Sequence, residues 1–133
     1  MLLSYEDSEE GIGNSKHPYW YARIVGIFHT YVVHTGPRSR STEPQRMEFL
    51  WIRWFGREIT KPTGWAAKRL HSVGFLERGA DDAFGFMDPI HVIRGAHLIP
   101  AFVHGVTENL LGPSVIRREE DGDYDWMRYY VDM

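Results

Sequence analysis

The chain has 133 residues, no cysteine and a formal net charge of −3. The lack of cysteine excludes disulfides and thiolate metal sites, and the acidic balance argues against nucleic-acid binding through a dominant basic field. No apolar stretch approaches the roughly 18 residues that span a bilayer, and the N-terminus lacks the pattern of a signal peptide. We therefore expect one intracellular domain that makes no membrane contact.

Residues 1–16 are polar and acidic and include two glycines, which predicts a flexible lead-in before a single β domain over residues 17–133. Residues 19–34 are rich in β-branched and aromatic side chains, with Gly26 in their middle. A glycine inside a strand usually marks a bulge or a bend, so this segment is one long bent strand or two strands in succession. Residues 35–45 then form a surface loop.

Residues 47–57 (MEFLWIRWFGR) predict a strand inside a packed sheet, because rings and branched side chains fit a pleated, half-buried surface. Side chains alternate between the two faces of a strand. One face then carries Leu50, Ile52 and Trp54, which we expect in the core. The opposite face carries Phe49, Trp51, Arg53 and Phe55. That face mixes large rings with a cation, and we expect a partner to contact it at Trp51 and Arg53.

Shorter elements follow in the rest of the chain. Strands are predicted at residues 71–76 and 83–87, and a helical turn at 89–94 has Asp88 as its cap. Residues 96–104 predict a closing strand, part of which Pro100 confines to an edge or a bulge. Residues 117–125 are expected in solvent, and residues 126–131 form a last aromatic segment, either a strand or a short helix. Short strands with little helical period predict a mainly β, partly open SH3-like barrel with short helical turns.

Three segments resemble the bromo-adjacent homology (BAH) domain: YARIVGIF at residues 21–28, IRWFGR at 52–57 and DPIHVIRGAHL at 88–98. They occur in the order found in that family, which implies a BAH-like barrel. The resemblance also implies a chromatin-associated, nuclear module that binds a protein or a histone-tail peptide. Most of the chain is also similar to open reading frames repeated near transposon genes in mushroom-type fungal genomes, a similarity that implies no activity.

Exposed rings are the first candidate binding site. Ring faces attract a quaternary ammonium group, so an aromatic surface could bind a methylated lysine. The candidate rings are Trp20, Tyr31, Trp51 and Trp65. The competing interpretation assigns Trp20 and Trp54 to the core, because large rings dominate small β cores.

Four arginines form the second candidate site, since the planar guanidinium suits phosphate contact. They are Arg38, Arg40, Arg46 and Arg53. This alternative makes the chain an accessory nucleic-acid-contacting domain of a transposon-encoded protein.

A metalloenzyme that uses His91, His97 or His104 is a third hypothesis. In a single straight strand, His91 and His97 would lie about 20 Å apart at roughly 3.3 Å per residue, too far to share a metal unless the chain turns at Gly95. The chain has no nucleophile elbow, phosphate-binding loop or metal-binding helix motif. We therefore predict no catalytic residue, metal or cofactor.

Overall fold

A computed structural model describes residues 2–5, 19–57 and 68–132. Its strands, numbered in chain order, are β1 Leu2–Tyr5, β2 Tyr19–Val32, β3 Gln45–Arg57, β4 His71–Phe75, β5 Phe84–Met87, β6 His97–Pro100, β7 Val106–Thr107, β8 Asp125–Trp126 and β9 Tyr129–Asp132. Short 3₁₀ turns lie at Pro89–His91, Phe102–His104 and Glu119–Asp121. The protein is mainly β, as its aromatic-rich composition predicted.

Strand β3 is the centre of the sheet. It pairs antiparallel with β2 on one edge, while its other edge is shared by β5, opposite residues 50–53, and by β4, opposite residues 55–57. The change of partner falls at Trp54, whose N–H donates to the Ala83 carbonyl at 2.9 Å and whose carbonyl accepts from the Leu76 N–H at 3.3 Å. The sheet runs β1-β2-β3-β4-β9-β6 and curls into an open half-barrel. The predicted partly open barrel is confirmed.

Strand β2 is one continuous strand with a bulge. Its pairing with β3 shifts between Ile24 and Gly26, so Val25 is the extra residue. A Cβ atom at Gly26 would lie 2.6 Å from the ring of Phe28, because that ring folds back over the glycine. Glycine leaves room for this close approach of the ring, and the predicted bulge is confirmed.

The two faces of β3 contact two different parts of the core. One face carries Leu50 and Ile52, which are buried with Ala22, and Trp54 packs against them. This inward face was predicted correctly. The opposite face, expected to be open to a partner, is also buried at its C-terminal end. There Phe55 belongs to a second cluster that consists of Tyr21, Phe55, Val73, Phe75, Tyr129 and Val131.

Beyond the bulge, the β2–β3 hairpin extends as a two-stranded arm, which we define as residues 27–49. Ile27, Tyr31 and Met47 are 73%, 66% and 50% exposed. The strands of the arm pair from Ile27 opposite Leu50 to Val32 opposite Gln45. Because side chains on both faces of the arm meet solvent, burial contributes little to holding this part of the hairpin.

Local chemistry sets the start of the first 3₁₀ turn as predicted. The Asp88 carboxylate accepts a hydrogen bond from the Ile90 N–H at 2.9 Å and caps the turn that begins at Pro89. The closing strand predicted over residues 96–104 is wrong beyond Pro100, because β6 ends there and a 3₁₀ turn follows at Phe102–His104. The segment at 126–131 is divided between β8 and β9.

The N-terminal lead-in is partly structured. Residues Leu2–Tyr5 form β1 and pair with the first residues of β2, from Leu2 opposite Ala22 to Tyr5 opposite Tyr19. The expectation of a flexible lead-in is therefore wrong for these four residues, which take up a free strand edge. The remainder of that segment lies outside the described residues.

Candidate functional site

A buried ion cluster lies where β3 meets the C-terminal part of the chain. Asp125 accepts hydrogen bonds from both Nη atoms of Arg53 at 2.9 Å, and from both Nη atoms of Arg117 at 3.0 and 3.1 Å. The side chains of Arg53, Arg117 and Asp125 are only 5%, 5% and 2% exposed. One carboxylate therefore receives two bidentate arginine forks, the strongest arrangement available to such a pair.

The cluster sets the charge state of its carboxyl group. Burial alone would raise the pKa of Asp125, but hydrogen bonds and charge attraction from Arg53 and Arg117 outweigh it and hold that pKa below its ordinary value of 3.8. The Arg53 guanidinium also lies 3.7 Å from the centre of the Phe75 ring. The Arg53 guanidinium and the Phe75 ring therefore pack against each other inside the half-barrel.

The position of Arg53 corrects two predictions. This residue was expected on a partner-facing surface and as a phosphate contact, yet it is 4% exposed and paired with Asp125. The segment 117–125 was expected in solvent, yet it contains Arg117 and Asp125. The errors about Arg53 and about segment 117–125 have the same cause. The ion pair between Arg53 and Asp125 joins residues 72 positions apart in the chain, so no local pattern indicates it.

An exposed cluster of rings, which we call the aromatic face, lies on the same side of β3 as Arg53, nearer the arm. The Phe28 and Phe49 rings stack with centroids 5.5 Å apart, and Phe86 meets Phe49 edge-on at 5.5 Å. Trp51 meets Phe84 at 6.3 Å. Phe86 and Phe28 are 73% and 45% exposed, while the other three rings are half-buried. Such a contiguous apolar surface is typical of a binding site.

Register explains why these rings meet. Phe28 lies opposite Phe49, while Trp51 and Arg53 lie opposite Phe86 and Phe84 of β5. Directly opposite residues project from the same face of a sheet. The sequence analysis selected Trp51 as a binding residue and put Phe49 on the same face, but it missed Phe28, Phe84 and Phe86. The order Phe-Gly-Phe at residues 84–86 was the available signal, because a period of two puts both rings on one face.

Carboxylates flank β5 in the chain. Asp81 and Asp82 precede the strand, and Asp88 follows it; all three are exposed. The Arg53 guanidinium lies 6.0 Å from the Phe84 centroid and shares the Asp125 carboxylate with Arg117. The exposed carboxylates beside β5 can attract a cationic ligand, whereas the buried Arg53 is already paired.

The rings proposed from the sequence are not brought together. Trp20 contacts Trp54 edge-on at 6.1 Å, and Tyr31 lies opposite Arg46 near the end of the arm. Trp20 and Tyr31 are eleven residues apart on one strand, or roughly 36 Å at about 3.3 Å per residue. Tyr31 and its opposite residue Arg46 project from the same face of the sheet, and Trp51 projects from the other face. Trp65 lies outside the described residues.

The remaining predicted arginines lie on the arm. Arg38 and Arg40 are exposed in the loop between β2 and β3, and Arg46 is exposed at the start of β3. An Nη atom of Arg46 lies 3.2 Å from a carboxylate oxygen of Glu48, and both side chains are more than half exposed. These three residues remain accessible to a phosphate, in contrast to Arg53.

The histidines nominated for a metal, His91, His97 and His104, are all exposed. Within the described ranges, no group of three or more His, Cys, Asp or Glu side chains could hold a metal ion. Within the same ranges, no helix has the length and apolar character needed to cross a membrane.

Comparison of the chain with family models, with curated proteins and with solved structures finds no match. The resemblance to BAH domains therefore stays a prediction, and the candidate site rests on its geometry.

Proposed function

We propose that this protein is a non-enzymatic module that binds a basic peptide on the aromatic face, with a methylated histone tail as the leading candidate. The observation that carries the proposal is the cluster of rings in which Phe49 contacts both Phe28 and Phe86, on a sheet face next to β5 and its exposed flanking residues Asp81, Asp82 and Asp88. The ring faces attract a quaternary ammonium group, and the carboxylates attract the lysines and arginines around it. A chromatin partner would make the protein nuclear.

A peptide titration tests this proposal. We expect a trimethyl-lysine histone-tail peptide to shift the resonances of Trp51 and Phe86, and the unmodified peptide to bind more weakly. Replacing Phe86 by alanine removes the most exposed ring and is expected to weaken binding about tenfold, within the range of a cation–π contact. The affinity is measured by nuclear magnetic resonance or calorimetry.

Phe102→Ala is the matched control for the titration. Phe102 is 70% exposed, close to the 73% of Phe86, but it belongs to a 3₁₀ turn and contacts Trp126 instead of the aromatic face. We expect this variant to bind like the original protein. Equal losses in both variants, or shifts confined to Trp20 and Trp54, would argue against the aromatic face as the binding site.

A second candidate function is nucleic-acid contact through the arm. Its specific support is that Arg38 and Arg40 are exposed in the loop of a projecting two-stranded ribbon, with Arg46 close behind in sequence. The DNA major groove accepts a ribbon of that kind. This function would fit an accessory domain of a transposon-encoded protein.

Salt dependence tests the second candidate. The logarithm of affinity falls linearly with the logarithm of the salt concentration. If Arg38 and Arg40 each contact a phosphate, replacing both by alanine is expected to make this slope shallower by about two. Arg118→Ala, which removes an exposed arginine away from the arm, is the control and should leave the slope unchanged. Duplex affinity that is indifferent to salt would rule out this function.

A further inference from the structure

In the part of the chain that the structure describes, the outer edge of β2 along the arm has no strand paired to it. Of the described strands, β1 pairs with β2 on that edge, and its pairing ends at Ala22. The bulge between Ile24 and Gly26 separates that region from residues 27–33, of which 27–32 complete β2 and Val33 follows it directly. Among the described residues, no strand pairs with the outward-facing backbone N–H and C=O groups of this segment, which can therefore accept another strand.

The two edges of the arm differ in charge. The β3 edge carries Arg46 and Glu48, the kind of charged side chain that keeps a strand edge from pairing. Residues 24–37 contain no Asp, Glu, Lys or Arg. Residues 27–33 read Ile-Phe-His-Thr-Tyr-Val-Val, a run of β-branched and aromatic side chains with no proline. The outer edge of β2 therefore lacks the usual protection against strand pairing.

The arm also lacks sufficient partners of its own. A two-stranded hairpin is only marginally stable in water, and three or more strands are normally needed. Ile27, Tyr31 and Val33 are 73%, 66% and 46% exposed, and Phe28 is 45% exposed on the other face. A further strand against β2 would cover part of this apolar surface and add the missing backbone hydrogen bonds.

We propose that this edge pairs with the same edge of a second copy of the chain, in an antiparallel, two-fold symmetric arrangement centred on Thr30. Thr30 is the midpoint of the free segment 27–33. Symmetry then puts Thr30 opposite Thr30 of the other copy, Phe28 opposite Val32, and Ile27 opposite Val33. Aromatic and β-branched pairs of this kind stabilise a sheet.

Charge and symmetry both favour a second copy as the occupant. Self-pairing of this edge brings no like formal charges together, whereas a charged peptide would find no complementary side chain along residues 27–33. The same patch on each copy meets its equivalent, so the assembly closes as a dimer. Two arms then form one four-stranded sheet, which supplies the strands that each arm lacks.

Sedimentation of the full chain tests the dimer. Over a dilution series from the high-micromolar range, we expect a species of twice the 15.5 kDa monomer mass. Thr30→Lys puts two ammonium groups face to face, and because like charges directly opposite each other destabilise a strand pair, it is expected to raise the dissociation constant at least about tenfold. The exposed position of Thr30 allows this variant to fold, which circular dichroism checks.

Cross-linking tests the register independently. The chain contains no cysteine, so Thr30→Cys introduces a single thiol. Directly opposite Cβ atoms lie about 4.5–5.5 Å apart in such a pair, within reach of mild oxidation or a short bis-maleimide. Val115→Cys, at a fully exposed position outside the arm, is the control. We expect rapid covalent dimers from the first variant and slow ones from the second.

A monomer at every concentration would overturn the proposal. So would a dimer that survives Thr30→Lys, equal cross-linking of the two cysteine variants, or open-ended assemblies larger than a dimer. Phe28 belongs both to the aromatic face and to the paired segment, but Phe86 lies on β5 and not on the paired edge, so Phe86 distinguishes the two proposals. Phe86→Ala is therefore expected to leave the dimer intact, whichever result the titration gives.

Discussion

Replacing Asp125 by asparagine is expected to lower the free energy of unfolding by about 3–5 kcal/mol, the usual cost of breaking a buried ion pair. The substitution keeps the shape of the side chain but removes its charge. Two buried guanidinium groups, those of Arg53 and Arg117, then have no carboxylate to pair with. In addition, the amide group of asparagine points its N–H donors at the N–H donors of one of these arginines. Chemical denaturation followed by tryptophan fluorescence measures the loss.

Glu48→Gln is the matched control, because it removes a carboxylate from an exposed ion pair. Glu48 and Arg46 are 59% and 57% exposed, and an exposed pair contributes about 0–1 kcal/mol. A loss for Asp125→Asn no larger than for Glu48→Gln would mean that the cluster is hydrated in solution.

The contribution of Asp125 to the free energy of unfolding is expected to decrease in acid. Its pKa in the folded protein is lowered, so its contribution is complete above the ordinary pKa of an aspartate and is lost as the pH falls through the folded value. The difference in stability between the original protein and Asp125→Asn should therefore be constant near neutrality and shrink in acid. Comparing the two proteins at each pH cancels the titration of the other carboxylates.

Local patterns determined much of the fold. Alternation along β3 placed Leu50 and Ile52 in the core, and the glycine in β2 marked its bulge. Asp88 marked the start of a 3₁₀ turn. Each of these features depends on a few neighbouring residues, so it could be read from the sequence.

Pairings between distant segments could not be predicted in the same way. That β4 and β5 share one edge of β3 depends on how the sheet curls, and no local signal reports it. The same curl decides whether the Arg53 face is covered. It also explains why Asp125, in a segment rich in acidic and basic residues, is buried.

The candidate site was predicted only in part, for the same reason. Trp51 was recognised because alternation along β3 alone puts its large ring on the same face as a cation. Phe86 became part of the site because β5 pairs with β3, which brings its ring to Phe49. The site is thus a property of three strands together, and the sequence of any one of them contains only a fraction of it.

The curl of the sheet predicts opposite results for two phenylalanines. Phe55 is 1% exposed, stacks on Phe75 at 4.1 Å and meets Tyr129 edge-on at 5.7 Å. Phe55→Ala is therefore expected to cost about 3–5 kcal/mol of unfolding free energy, as a cavity in a packed core does. Phe86→Ala removes the same ring from an exposed position and is expected to change stability by about 0.5 kcal/mol or less.

Denaturation curves of both variants, with Phe55→Leu as an intermediate that retains most of the side-chain volume, measure this contrast. If Phe55→Ala does not fold, the leucine variant still reports the burial of position 55. Similar stabilities for Phe55→Ala and Phe86→Ala would mean that β4 and β9 do not cover β3 in solution. A large difference would establish that the sheet face which carries Phe55 on β3 and Phe86 on β5 is core at the first position and open at the second.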